Sequence, residues 1–484
     1  QIALYLFHDN YPINGSPDLP EEENPLPGEP GYVDWSQFSI VLEEPAGRYG
    51  QNGGQVIQDA FGKPLGTTYC RDAVTNEPIE CDGDPTTFPD VLALGDGTLH
   101  PDADTGTLLI KNLSPGKYGV IVNPPTNQNW QQTTTIEGTK VIDAWVKANE
   151  PSVFVEFGLP GPHVFMGFVK PTSAGGPQLP PNTGGTAANV SGTITDMHMS
   201  RPPNFVFHSG RDFPQCWIGL NDTTVGLGRG VYAAPCNGSD FTIPSVPPGS
   251  YQLKVWDSNL DVVIATLGFT VDAEGTCNAG TVPDCNFGEV PVFNWFTRML
   301  GGIFNDTDED GFWDATETGV QDRLVNLRWR DGSMYQSFGT DGEGFAPFDE
   351  VFPFFHWLVA EVDFIDKKAT GATFVVDAGG PVDKTTDAFP GFGQLTPQPQ
   401  CIENADGSTV GYDPLADTCP VGAEAVNLNT GDNLSCTETG PVLTQAVQGF
   451  LGQTSVALFG KVDYKAYDFN NFPPTFIGEN GGIS

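Results

Sequence analysis

The run Phe241-Thr-Ile-Pro-Ser-Val-Pro-Pro-Gly-Ser-Tyr-Gln-Leu-Lys-Val255 decides the fold, because the chain repeats its pattern. It returns as Leu108-Leu-Ile-Lys-Asn-Leu-Ser-Pro-Gly-Lys-Tyr-Gly-Val-Ile-Val122 and as Phe348-Asp-Glu-Val-Phe-Pro-Phe-Phe-His-Trp-Leu-Val-Ala360. Ile110, Ile243 and Phe348 align, as do Leu113, Val246 and Val351, and then Pro115, Pro248 and Pro353. Tyr118, Tyr251 and His356 open the strand that follows, so His356 is expected to pack within a strand. Beyond each turn, apolar and polar residues alternate, which is the period of a half-buried strand. Polar turns lead in, such as Asp102-Ala-Asp-Thr-Gly106 and Thr340-Asp-Gly-Glu-Gly344.

Working outward, an apolar strand lies upstream of each copy: Phe38 to Leu42, Cys216 to Leu220 and Val325 to Trp329. Further upstream lie opening strands at Ile2 to Phe7, Val190 to Ile194 and Met299 to Phe304. No long segment has a helical period, although Lys140 to Ala148 is expected to form a short helix. The 59 Gly and 42 Pro fit many short strands joined by turns. The fold class is therefore all-β.

One loop carries chemistry. Residues 306–317 read Asp-Thr-Asp-Glu-Asp-Gly-Phe-Trp-Asp-Ala-Thr-Glu. Asp306, Asp308 and Asp310 fill positions 1, 3 and 5 of a twelve-residue calcium loop, and Gly311 supplies the sharp turn. Phe312 offers a carbonyl, Asp314 takes position 9, and Glu317 closes the site. A hard cation wants several oxygens, and alternating carboxylates on a tight loop deliver them. The competing reading is a solvated acidic turn. A looser counterpart, with Asp9, Asn14, Asp18 and Glu21, lies in the equivalent place near the start of the chain. It needs a one-residue insertion to bring Asp9 to position 1. It reads either as a second Ca2+ site or as a turn held by side-chain bonds.

The order of opening strand, Asp-rich loop, V-x-L-type strand, T-D-x-x-G turn and P-x-x-Y/H-type strand resembles the SdrD B-like and Cna B-like repeats of bacterial surface proteins. Residues 297–364 match best, the first domain matches more loosely, and the second is closer to the carboxypeptidase-regulatory-like relatives. The resemblance implies tandem Ig-like or prealbumin-like β-sandwich domains and an extracellular stalk, adhesin or surface-assembly role. Some relatives carry a Lys–Asn isopeptide bond. The opening strand Met299 to Phe304 has no Lys, so that bond is not carried over.

On this reading, domain one is residues 1–168. Residues 170–188 form a Pro/Gly-rich linker, and domain two is 189–272. A cysteine-containing connector follows to about residue 290. Domain three is 293–480, with a long loop-rich insertion near 379–440. Residues 481–484 resemble the start of a further domain or of an exchanged strand. A chain beginning at Gln1 fits either a removed leader or a piece of a longer protein.

The formal charge of −40 comes from 61 Asp plus Glu against 21 Lys plus Arg. Such a surface repels nucleic acid and anionic membranes and suits divalent cations. No apolar run is long enough to insert in a membrane. Of the nine cysteines, eight form neighbouring pairs: Cys70 with Cys81, Cys216 with Cys236, Cys277 with Cys285, and Cys401 with Cys419. Cys436 is left over. There is no CxxC, so local disulfides in an oxidising compartment are expected. Sequons stand at Asn14, Asn112, Asn189, Asn221, Asn237, Asn305 and Asn433. Asn189, Asn221, Asn237 and Asn433 are the candidate glycosylation sites. The histidines form no HxH or HExxH, and no G-x-S-x-G or Walker loop occurs. No carboxylate pair is singled out for glycoside hydrolysis, so no enzyme is expected. The aromatics sit at strand positions that suit a core better than a sugar platform.

The sequence thus reads as a secreted or cell-surface structural protein, a stalk, adhesin shaft or filament subunit stiffened by calcium and disulfides. The alternative is a non-catalytic accessory or carbohydrate-binding region of a larger secreted enzyme. The expected partner is the protein itself, as a homopolymer or head-to-tail filament, with glycans as a second candidate.

Overall fold

The computed structural model describes the chain apart from residues 46–51, 149–163, 200–206, 363–366, 377–433, 465–466, 469–474 and 477–484, and positions 19, 21, 76–77, 85, 87, 137, 214, 225, 227, 263 and 315. Cys401, Cys419, Asn433, Glu21 and the terminal residues 481–484 lie outside the described residues. The described chain is built of strands and contains single 3-10 turns such as Trp35–Gln37. It forms two compact units, Gln1–Ile194 with Phe213–Val290, and Thr195–Asp212 with Pro291–Ser484.

The first sandwich uses β1 (Ile2–His8), β2 (Ser39–Pro45), β3 (Asn52–Val56), β4 (Thr68–Tyr69), β5 (Val91–Ala93), β6 (Thr107–Ile110), β7 (Gly116–Asn123), β8 (Gln131–Gln132), β9 (Ile142–Val146) and β10 (Val164–Val169). One sheet has the order β6-β1-β10-β8 and the other β3-β2-β7-β9. Strand β1 runs parallel to β10, with Leu4 opposite Val164 and His8 opposite Phe168. Ile2, Leu4 and Leu6 alternate into a core with Trp35, Phe38, Val120 and Phe168. The helix expected at Lys140 to Ala148 is instead β9. Ile142, Ala144 and Val146 are buried in alternation against β7, so a period of two wins over helix propensity.

The second sandwich uses β11 (Ala188–Met199), β12 (Phe207–Asp212), β13 (Cys216–Asp222), β14 (Arg229–Pro235), β15 (Asp240–Val246), β16 (Gly249–Asp257), β17 (Ala265–Val271) and β18 (Asn286–Val292). Its sheet β14-β13-β16-β17 corresponds to β3-β2-β7-β9, and β11 pairs with β15 as β1 pairs with β6. Strand β18 also pairs with β11, so this domain runs past residue 272 and includes the expected connector.

The third sandwich uses β19 (Thr297–Asn305), β20 (Leu324–Trp329), β21 (Met334–Gly339), β22 (Phe345–Val351), β23 (His356–Glu361), β24 (Lys367–Val376), β25 (Leu434–Thr439), β26 (Thr444–Gln448) and β27 (Thr454–Asp463). Its sheets are β22-β19-β27-β24-β25 and β21-β20-β23-β26, with β19 parallel to β27. A ribbon of β28 (Tyr467–Asp468) and β29 (Thr475–Phe476) follows. Between the sheets, Lys461 of β27 donates to Glu361 of β23 at 2.7 Å, with both side chains 1% exposed.

The aligned residues occupy equivalent buried places: Ile110, Ile243 and Phe348, then Leu113, Val246 and Val351. Between them the backbone turns left-handed at Asn112, Ser245 and Glu350, with φ of 61°, 58° and 47°. The polar turns match too. Leu6 donates its N–H to Gly106 O, and Ile303 does so to Gly344 O. A Cβ on Gly106 would lie 2.4 Å from Leu6 O, and one on Gly344 2.6 Å from Ile303 O, so only glycine allows this approach. Tyr118 and Tyr251 each return a hydroxyl to a carbonyl four residues back, at Ser114 and Pro247. His356 does not pack as expected and is exposed. The next residue, Trp357, turns inward and donates to Phe352 O at 3.0 Å.

Gln1–Ile194 and Phe213–Val290, which hold the first sandwich and most of the second, form one compact unit. The loop after β1 inserts Ile13, fully buried, among Trp217, Ala233, Trp256 and Leu260 of the second sandwich. Asn221 accepts from Ile13 N at 3.1 Å and donates to Ile13 O at 3.2 Å. Gly230 N donates to Asn10 O. From the linker, Thr172 Oγ1 accepts from Ala233 N.

Candidate metal centre

The acidic loop leaves the end of β19. Asp306 is fully buried at its root, where its carboxylate accepts N–H bonds from Asp310 at 3.1 Å and Gly311 at 2.8 Å. Gly311 has φ of 80°, as a tight return requires. Strand β24 braces the loop from behind: Thr370 Oγ1 donates to Asp306 Oδ2 at 2.5 Å, and Thr373 Oγ1 donates to Gly311 O at 2.7 Å. Glu317 folds back to accept from Thr307 N and from the Thr307 hydroxyl. Trp313 donates to Glu317 O and stacks on Phe304 and Phe345, at 5.2 and 5.3 Å between ring centres.

Asp306, Asp308 and Glu317 each bring a carboxylate oxygen within 4.8 Å of the other two. This places positions 1, 3 and 12 of the loop around one point. Asp310 and Asp314 are not in that cluster. Asp310 accepts from Phe312 N, and Asp314 accepts from the Thr316 N–H and hydroxyl, which lower its pKa. Burial raises the pKa of Glu317. Desolvation, followed by the charge of Asp310, raises that of Asp308. The carboxylates therefore crowd one another, and a divalent cation would relieve that repulsion. The donor set fits a hard cation: carboxylate oxygens on a rigid, braced loop.

The loop near the start of the chain has the same plan, and no cluster of three carboxylates forms among its described residues. Asp9, fully buried, accepts from Asn14 N at 2.9 Å and Gly15 N at 2.6 Å, as Asp306 does from Asp310 and Gly311. Among the described residues, the carboxylate that folds back onto this loop belongs to Glu22. Glu22 accepts from Asn10 N, Tyr11 N and Asp18 N. It lies two residues further from Asp9 than Glu317 lies from Asp306. Asn14 donates its side-chain amide to Asp18 Oδ2 at 2.9 Å, so a hydrogen-bond donor meets the acid where a cation would stand. Burial pushes Asp9 up to about 7 and Glu22 to about 8.

Cys70–Cys81, Cys216–Cys236 and Cys277–Cys285 are bridged. Cys436 lies on β25, opposite Phe374 in register. Asn189 and Asn237 are exposed. Asn221 is fully buried, and its amide is committed to Ile13, so it cannot accept a glycan in the folded chain. Glycopeptide mapping is expected to find Asn221 bare. A glycan there would contradict the docking of the first two sandwiches. Sequence alone cannot distinguish a sequon on a loop from one whose asparagine reads a neighbouring backbone.

No family model matches the chain, and no curated protein matches it. Among solved structures, 55% of the chain aligns with 39% of the TIE protein of Bacillus anthracis, at 14% identity and a TM-score of 0.16. The chain thus spans about two fifths of that protein's length. It aligns over 91% of its length with 99% of BcpA, the major pilin subunit of Bacillus cereus, at 8% identity and a TM-score of 0.16. For the T6 backbone pilin of serotype M6 Streptococcus pyogenes the values are 90%, 98%, 8% and 0.15. At such TM-scores no neighbour superposes on the chain as a whole, and the likeness establishes neither family nor function. Among the described residues, no helix is long and apolar enough to cross a membrane.

Proposed function

We propose that this is a non-enzymatic structural protein of the cell surface or of secreted material, a shaft or filament subunit whose third sandwich is clamped by Ca2+. The observation that carries the reading is the meeting of Asp306, Asp308 and Glu317 on a loop that Thr370 and Thr373 tie to β24. An ion held there would fasten the loop that follows β19, which those threonines tie across β27 to β24. The homologous loop of the first sandwich serves the same end without an ion, by wedging Ile13 into the second sandwich. Three disulfides suit an oxidising compartment. The formal charge of −40 suits a medium rich in divalent cations.

Extracellular calcium sites bind with Kd of about 10⁻⁴ M, so millimolar calcium is expected to stabilise the third sandwich by about 1–2 kcal/mol. Calorimetry with calcium and with chelator checks this. Trp313 is placed to sensitise terbium bound in the loop, and Asp308→Ala should abolish both that emission and the calcium-dependent melting shift. Unchanged melting together with no sensitised emission would refute the site. Linear self-association is checked separately, by sizing and electron microscopy of the native material; a monodisperse monomer at high concentration would refute it.

A further inference from the structure

The third sandwich breaks the repeat at one turn. After the aligned prolines, the first two copies continue Gly116-Lys117-Tyr118 and Gly249-Ser250-Tyr251, and the third continues Phe354-Phe355-His356. The change is unfavourable in two ways. Phe354 is left-handed, with φ of 67°, a backbone that neither glycine adopts and that a bulky side chain resists. Phe354 is also 55% exposed and Phe355 44%, so both rings forgo much of the stabilisation that burial would bring. The turn is nevertheless fixed. Phe354 N donates to Gly449 O at 2.7 Å, and Gln448 Nε2 donates to Phe354 O at 3.3 Å.

Buried rings hold the exposed ones in place. Phe355 meets Trp329 edge-on at 5.4 Å and Phe352 at 6.1 Å, and Phe354 meets Phe450 at 6.1 Å. Behind them Trp329 packs on Tyr335 and Trp357, and Phe352 on Phe296, all within the core. Rings presented on a rigid backing lose little freedom when a partner covers them. Two cations stand at the same end. Arg328 and Arg330 flank Trp329 in the chain; Arg330 is exposed, and Arg328 donates to Gly332 O across the hairpin turn. Asp331 in that turn and Glu350, whose carbonyl accepts from the Tyr335 hydroxyl, balance them. This end is therefore close to neutral in a chain where 61 acids face 21 bases. Two copies, each with a formal charge of −40, repel over most of their surfaces. An apolar patch without acid in excess is where they can meet.

We propose that Phe354 and Phe355 form the contact through which one copy of this chain docks on another. The inference rests on the self-association proposed above and names its surface. Sedimentation velocity over a concentration series, at about 0.15 M salt, compares the full chain with two variants. Phe354→Gly with Phe355→Ser writes the turn of the second sandwich into the third. Glycine accepts the left-handed backbone, so the fold should hold, and melting followed in parallel checks it. Arg330→Glu leaves the core untouched and adds an acid at the patch. The parent is expected to associate reversibly. The double variant should weaken that association by at least about ten-fold, and Arg330→Glu by about five-fold. If the double variant unfolds, Arg330→Glu alone decides. Association that the variants leave unchanged would overturn this surface and leave self-association standing. A dimer that grows no further, and that the double variant dissolves, would support the surface and refute the filament. A parent that stays monomeric would overturn both. Chitohexaose is titrated into the same proteins. A monomeric parent that binds it, where the double variant does not, would assign the rings to a glycan and overturn the proposal.

Discussion

Lys461→Met is expected to destabilise the third sandwich by about 3–5 kcal/mol. The Lys461 ammonium and the Glu361 carboxylate meet at 2.7 Å between the two sheets, each 1% exposed. Removing the lysine leaves a carboxylate in the core without its countercharge, and water cannot reach it. The pair is costly to assemble, however, because both ions lose their hydration. Lys461→Met with Glu361→Leu should therefore recover most of the loss. Calorimetry of the single and double variants checks this. A double variant as unstable as the single would mean that the site needs charge for some other reason. Added salt should barely alter the single-variant effect, since a buried pair is poorly screened.

Ile13→Ala is expected to cost about 2–5 kcal/mol, although Ile13 lies in a loop. Its side chain fills a pocket formed by Trp217, Ala233, Trp256 and Leu260. Because that pocket belongs to another sandwich, the loss should appear as decoupling. The first two sandwiches should melt together in the parent chain and separately in the variant. Asn221→Ala should act in the same direction by leaving the N–H and carbonyl of Ile13 without their partner, at about 1–3 kcal/mol for each buried group. A single unsplit transition in both variants would refute the wedge.

The threefold pattern around Ile110, Ile243 and Phe348 was legible in the sequence because it records a burial period that the strands obey. The convergence of Asp306, Asp308 and Glu317 was legible because the spacing of carboxylates along a tight loop is a property of the chain itself. Its counterpart was harder to read. An insertion blurs the spacing there, and only three dimensions show that Glu22 accepts from Asn10 and Tyr11. The docking of Ile13 against residues more than 200 positions away left no local trace. Strand β18 was missed because Asn286-Phe-Gly-Glu-Val-Pro-Val292 contains Gly and Pro, which weaken a strand pattern. The left-handed residues Asn112, Ser245 and Glu350 were missed because none is glycine. For β9 the alternation of Ile142, Ala144 and Val146 was present and should have outweighed the helix reading.

The parallel pairing of β1 with β10, and of β19 with β27, has a mechanical consequence. The first strand of each of these sandwiches begins at one end of the ladder, and its parallel neighbour finishes at the other. Tension drawn between those two ends runs along the strands, so the ladder is loaded in shear. Its hydrogen bonds must then yield together instead of opening one at a time like a zip. The registered length is five pairs in the first sandwich and eight in the third. The third sandwich should therefore outlast the first when the chain is pulled.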